Sequence, residues 1–207
     1  MNQKSSLGLN SCFMDLDDPL ELFKKWMVEA EKKEINDPNA LSLATTDNNK
    51  QPSVRIVLLK DFGRKGFVFY TNLNSPKSND IKINPKAEMC FHWKSLQRQV
   101  RIFGSITQVD NKEADDYFNS RPYESKIGAC ASNQSKVMNR KEDFLKKIDE
   151  LKNKYKDVNN VPRPKNWSGW CLYPLSFEFW LGDKYRIHER LKYKKVSKSW
   201  KKEILFP

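Results

Sequence analysis

The sequence predicts an α+β fold, a mainly antiparallel β-barrel carrying peripheral helices. Three observations predict it. Short segments of β character follow one another across turn-forming links; helices are inserted among them rather than alternating with them; and neither G-x-G-x-x-G nor G-x-x-x-x-G-K-S/T occurs, so the usual dinucleotide and P-loop cradles of parallel α/β sheets are missing.

The elements follow in chain order. Asp18 is a candidate N-cap, with Pro19 at the first helical position and Glu21 completing a capping box. Leu20, Phe23, Met27 and Ala30 then recur at helical spacing. Segments 40–46 (ALSLATT), 53–59 (SVRIVLL) and 67–71 (FVFYT) read as strands, separated by DNNKQP and KDFGRKG. Segments 87–93 and 98–110 add two more, the second bending or bulging at Gly104. Ser75-Pro76 opens a helix through SNDIKIN. A further helix ends at Pro122, and 140–157 is a charged amphipathic helix carrying Phe144, Leu145, Ile148 and Leu151. The C-terminal third reads as a closing β-meander.

With 207 residues, 38% apolar and 12% aromatic, the chain can bury a sizeable core. Its longest apolar run, IVLL, falls far short of the roughly 18 residues of a membrane span, and the N-terminus shows no apolar signal region. A cytoplasmic protein is the expectation. Cys12, Cys90, Cys130 and Cys171 lie far apart and read as reduced thiols, with no metal-ligand spacing to either histidine. A net charge of +12 suits anionic partners such as phosphorylated metabolites, a nucleotide cofactor or nucleic acid, and equally a lysine-rich solvated surface.

Four polar clusters carry candidate chemistry. Arg55 and Lys60 bracket a strand expected to be apolar and buried. Lys77 sits beside the free N–H groups of a helix start, an arrangement suited to phosphate. Tyr117, Arg121 and Ser125 bring a phenol, a guanidinium and a hydroxyl together near a helix end. In WLGDKYRIHER (180–190), an extended backbone would project Arg186, His188 and Arg190 from one face beside Trp180, a row that asks for an anionic ligand.

Taken in order, R-I-V-L-L-K, F-Y-T-N-L-x-S-x-K, R-Q-V, Y-F-x-S-R-P-x-x-S-x-I-G-A, S-x-Q-S and E-F-W-x-G-x-x-x-R-x-H-E-R resemble the pyridoxine/pyridoxamine 5′-phosphate oxidase family across residues 18–207. The resemblance implies a six-stranded antiparallel split β-barrel binding FMN, with 18–207 as one domain including a C-terminal dimerisation and substrate region, and 1–17 as a flexible segment. It implies a homodimer with FMN at the interface. Pyridoxine 5′-phosphate or pyridoxamine 5′-phosphate is oxidised to pyridoxal 5′-phosphate, with O2 consumed and hydrogen peroxide produced. FMN-binding positions by similarity are Arg55, Ile56, Val57, Leu58, Leu59, Lys60, Tyr70, Thr71, Lys77, Gln99, Gln134, Ser135, Trp180 and Arg190. Substrate positions are Lys60, Tyr117, Arg121, Ser125, Arg186 and His188, of which Arg186 and His188 are the catalytic candidates. Where the family often has S-R-K, this chain has Ser75-Pro76-Lys77, implying weaker FMN affinity. The Arg-Arg-x-Tyr segment that precedes the first helix in some members is absent from MNQKSSLGLNSCF. Two competing readings are a split-barrel flavin reductase or flavin-binding protein, which would not need the Arg121–Ser125–Arg186–His188 set, and a basic RNA-binding protein. The latter ranks lower because the aromatics form no RNP-like strand motif.

Overall fold

A computed structural model describes residues 6–157 and 160–207. The first helix, α1 (Pro19–Lys33), starts where Asp18 accepts a hydrogen bond from the Leu20 N–H. Glu21 does not reach back to the cap; it pairs with Lys24 at 2.8 Å. The predicted stripe is buried, and Leu22 and Trp26 join it. Phe23 is the hub of the core, its ring meeting Phe62 and Phe67 edge-on at 5.0 Å.

The strands β1 (Ala40–Thr46), β2 (Pro52–Leu58), β3 (Asp61–Gly63), β4 (Gly66–Asn72), β5 (Lys86–Trp93), β6 (Arg98–Gln108), β7 (Trp167–Leu181), β8 (Glu189–Val196) and β9 (Ser199–Leu205) form one antiparallel sheet. Its main path runs β2-β1-β5-β6-β7-β4-β3. The two ends of that path, β2 and β3, are joined by only Leu59 and Lys60, and the Lys60 N–H donates to Val68 O. So short a link forces the sheet to curl into a barrel around Phe23. Nine strands stand where six were expected, because the short β3 and the C-terminal hairpin β8–β9 extend the sheet.

The barrel splits along β7. One edge of this strand pairs with β6 over nearly its whole length; the other pairs with β4 over 167–172 and with β8 over 176–181. The predicted irregularity at Gly104 is a register shift between Phe103 and Gly104. A Cβ there would meet the Tyr173 carbonyl, so only glycine allows this approach of β6 to β7.

The remaining helices are α2 (Pro76–Ile83), α3 (Asn111–Ser120), α4 (Tyr123–Ala131) and α5 (Lys141–Lys154). On α5, Ile148 and Leu151 pack toward Phe118 and Ile127, while Leu145 stays exposed.

Two further features bear on the N-terminal segment and on β2. The segment assigned as flexible is tied to the domain over 6–17: Phe13 is fully buried beside Trp26, whose indole N–H donates to Cys12 O, and the Asn10 N–H donates to Glu189. Residues 1–5 lie outside the described residues. The strand β2 is not buried on both faces. Arg55 and Val57 turn inward, but Val54 and Ile56 are 65% and 64% exposed, leaving an apolar face uncovered in the single chain.

Candidate active site

A cleft of about 580 Å³ opens where the C-terminal end of β2, the middle of β4, the start of α2 and the α3–α4 junction meet. Its volume lies in the range of small-molecule and cofactor sites. Of the predicted residues, Ile56, Val57, Leu58, Lys60, Tyr70, Thr71, Lys77, Tyr117, Arg121, Ser125 and Gln134 line it. Segments far apart in sequence thus converge on one cavity.

The first cationic group in the cleft is Lys77. Pro76 sets the first turn of α2 and leaves Lys77 at its second position, where the side chain folds inward and is almost wholly buried. Its ammonium donates to Thr71 Oγ1, Ser75 Oγ and Gln134 Oε1, each at 3.2 Å. All three acceptors are neutral. Burial and the nearby Arg55 guanidinium hold the Lys77 pKa below the ordinary lysine value.

Arg55 projects inward from β2 toward β1. It donates to Leu43 O at 3.2 Å, and to Thr45 Oγ1 and Ser53 Oγ at 2.5 Å each. Asp80 of α2 lies 3.8 Å away and accepts from Thr45 Oγ1 at 2.6 Å. Burial lowers the Arg55 pKa and Asp80 opposes the shift. The sequence reading missed Asp80, Thr45 and Ser53. Ser53 had a signal, since it shares the Arg55 face of an extended strand; Asp80 looked like any polar residue on a surface helix.

The second cationic group is Arg121, at the C-terminal end of α3. Its Nη1 is buried and has no hydrogen-bond partner among the described residues. Its flat face covers the Trp167 ring at 4.8 Å, and burial lowers its pKa. Tyr117, one turn earlier, stacks on Tyr70 at 3.9 Å. Ser125 arrives on α4, whose start at Pro122 follows Arg121 directly. Lys60 reaches the same cavity from the β2–β3 link.

The other predicted residues do not reach this cleft. Leu59 is core. Ser135, in the left-handed region at φ 66°, borders an adjoining hollow with Gln134. Gln99, Trp180 and Arg190 are neighbours in register across β6, β7 and β8. Trp180 packs on His188 at 4.7 Å. Arg190 pairs with Glu178 at 2.7 Å and donates to Phe206 O.

The extended row expected for Arg186, His188 and Arg190 is broken. Lys184–Arg186 forms a tight turn with Tyr185 and Arg186 at φ 58° and 64°, and β8 begins only at Glu189. Consecutive left-handed residues cannot alternate faces like a strand. Arg186 is exposed there, and the Asp183 N–H donates to His188 Nδ1 at 3.2 Å.

The predicted residues fall into two separate groups. Ser168 pairs with Thr71 in the cleft, whereas Trp180 lies twelve residues further along β7, roughly 40 Å at the usual strand rise. Among the described residues, a single chain does not bring them together.

Residues 27–155 match the family model for pyridoxamine 5′-phosphate oxidase. The chain belongs to the pyridoxamine 5′-phosphate oxidase family. Residues 167–207 match the model for the pyridoxine 5′-phosphate oxidase C-terminal dimerisation region. Over its full length the chain is 62% identical to the whole of a pyridoxine/pyridoxamine 5′-phosphate oxidase of Pelagibacter ubique. It is 49% identical to that of Bartonella henselae, covering 94% of this chain and 95% of the relative. The crystal structure of PhzG from Burkholderia lata superposes with a TM-score of 0.89 at 25% identity, covering 99% of this chain and all of the other. An FMN-binding protein of Nostoc punctiforme shares the fold, with a TM-score of 0.75 at 17% identity over 93% of this chain and 99% of the other. As a member of the oxidase family, the chain is a flavin-dependent oxidoreductase with FMN as its cofactor. The cleft fits that group: a buried lysine held only by neutral oxygens, with the Arg55 guanidinium near it, provides for an anionic phosphate.

Proposed function

We propose that the chain oxidises pyridoxine 5′-phosphate and pyridoxamine 5′-phosphate to pyridoxal 5′-phosphate in the cytoplasm, as a homodimer with FMN at the subunit interface and O2 as final electron acceptor. The alcohol loses two electrons and two protons, and O2 takes both as hydrogen peroxide. The amine follows the same balance, with water entering and ammonia leaving. The observation that carries this reading is two separate cationic groups in one cleft, Lys77 with the Arg55 guanidinium acting on it from outside the lining, and Arg121 with Lys60. Two phosphates, one on the cofactor and one on the substrate, account for both.

Lys77, Arg55, Thr71 and Gln134 hold the FMN phosphate. Lys60, Tyr117, Arg121 and Ser125 clamp the substrate phosphate through charge-assisted bonds. The buried Arg121 Nη1 supplies a donor whose desolvation is already complete. When bound, FMN supplies the two-electron acceptor. The partner subunit contributes Gln99, Trp180, Arg186, His188 and Arg190, which lie too far along β7 to serve the cleft of their own chain. The uncovered Val54–Ile56 face beside the cleft, together with the match to a dimerisation region, supports this arrangement.

Arg186 orients the substrate ring and offsets charge at the reacting carbon. His188 accepts from Asp183 at Nδ1, so its neutral ring carries the proton on Nε2 and offers a donor to the ring's oxygen substituent.

An absorption spectrum recorded before and after anaerobic addition of pyridoxamine 5′-phosphate tests the reading. A yellow protein is expected to bleach and to recolour in air; a yellow protein that does not bleach refutes the substrate, and one that cannot take up FMN refutes the cofactor site. Pro76 is exposed at the start of α2. Pro76→Arg is therefore expected to tighten FMN binding by roughly three- to tenfold through an added surface cation near the phosphate. Fluorescence titration of the apoprotein reads this directly, and unchanged affinity would deny the position any part in cofactor binding.

A further inference from the structure

Trp167 appears in none of the sequence motifs, yet it underlies both elements of the substrate clamp. It is 6% exposed at the first position of β7, and it lines the cleft. The Arg121 guanidinium lies 4.8 Å over its indole ring and 5.7 Å from the ring of Phe118. Phe118 is fully buried and meets Trp167 edge-on at 5.1 Å. Tyr70 and Tyr117 lie within 10° and 3° of parallel with the indole plane. Trp167 is itself anchored: its carbonyl accepts from Arg163 Nη1 at 2.8 Å, and its N–H donates to Pro164 O.

Among the described residues, no carboxylate pairs with Arg121; the charge-bearing groups that act on it are the Tyr117 phenol and the Cys130 thiol. A long side chain without an ionic anchor needs another constraint to keep its donors aimed into a cavity. Aromatic faces supply one. They attract a guanidinium through the ring quadrupole while leaving its in-plane N–H groups free for an anion. A carboxylate anchor would instead occupy those donors and cancel the charge the phosphate needs.

We propose that Trp167 is a positioning residue for substrate recognition: it holds the Arg121 guanidinium, and through the Tyr70–Tyr117 stack the phenol, in the orientation that binds the phosphate monoester. This rests on the assignment of Arg121 and Tyr117 to the substrate phosphate. Trp167 then acts on affinity for the phosphorylated substrate and not on the redox step. An aromatic of smaller face preserves part of its effect.

The experiment is a double-mutant cycle on the FMN-loaded enzyme, with Trp167→Leu, Trp167→Phe, Arg121→Ala and the combined variants. Wild-type turnover of pyridoxamine 5′-phosphate is measured first. Its absence would overturn the substrate assignment itself, whereas the ratios between variants test only Trp167. Trp167→Leu is expected to raise KM for pyridoxamine 5′-phosphate by roughly tenfold with kcat within about threefold of wild type, and Trp167→Phe by roughly threefold. Weakened competition by inorganic phosphate should accompany each rise. In the Arg121→Ala background each substitution should raise KM by a clearly smaller factor, the part carried through the Tyr70–Tyr117 stack alone. Overturning results are an unchanged KM, or a rise of the same factor with and without Arg121, which would make Trp167 a packing residue only. Should Trp167→Leu fail to fold, Trp167→Phe in the same cycle decides by the same two criteria.

Discussion

Lys77→Met is expected to give a folded apoprotein whose FMN dissociation constant rises on the order of 100-fold, the scale of a lost charge-assisted phosphate contact in a desolvated site. The reason lies in how Lys77 is held. Its ammonium is buried among Thr71, Ser75 and Gln134, whose oxygens solvate it without neutralising it. An unneutralised buried charge destabilises the apoprotein, and a bound phosphate removes that cost. The same substitution should therefore leave the apoprotein at least as resistant to thermal unfolding as wild type, because an apolar side chain of similar length relieves the burial penalty.

The pH dependence follows with a definite sign. In the apoprotein the Lys77 pKa lies below its ordinary 10.5, through burial and the Arg55 charge. Bound phosphate favours the ammonium and raises that pKa. Between the two values, FMN binding takes up a proton, so affinity falls as pH rises through the depressed apoprotein pKa and is insensitive to Lys77 below it. Apoprotein stability moves the opposite way in the alkaline range. There the unfolded chain binds more protons than the folded one, so stability rises with pH. Titrations of apoprotein with FMN across the alkaline range should show the decline in wild type. In Lys77→Met this component is absent. A parallel decline in both proteins would assign the effect to another group.

How much of this was legible in the sequence depends on whether local pattern or distant partners decided the outcome. The helix α1 follows from a cap, a proline and an apolar stripe, all local, and the structure agrees residue by residue except that Glu21 turns to Lys24. The bulge at Gly104 was legible because a glycine inside a β pattern marks a close backbone approach. The helix α4 was not. YESKIGACA has small residues instead of a stripe, and it starts on Pro122 without a side-chain cap. The apolar reading of RIVLLK gave the right residues and the wrong burial, since Ile56 faces outward where the isolated chain has no cover. The Lys77 and Arg121 clusters were visible as charges beside helix ends. Their supports, Asp80 and Trp167, were not, because neither carries a local pattern and both act across the fold.

Arg121→Ala and Arg186→Leu are each expected to yield FMN-bound protein with severe loss of kcat/KM, on the order of 100-fold or more, Arg121→Ala mainly through KM and Arg186→Leu mainly through kcat. Their combination distinguishes a site shared between subunits from one built within a chain. Ser168, whose register partner Thr71 lines the Arg121 cleft, and Trp180, which packs beside His188, stand at opposite reaches of β7. If each cleft takes Arg121 from one subunit and Arg186 from the other, a heterodimer of the two variants contains one site with both substitutions and one with neither. Dissociating an equal mixture and letting it reassociate at random should then restore roughly a quarter of wild-type activity, since half the dimers are mixed and half of their sites are intact. Neither variant alone regains activity by the same treatment. If both arginines served the same chain's cleft, every site in every dimer would carry one substitution and mixing would restore nothing. The recovered sites should also show the wild-type KM, because an intact cleft is complete rather than partly repaired. Recovery with an altered KM would mean that the two arginines meet differently from the arrangement proposed.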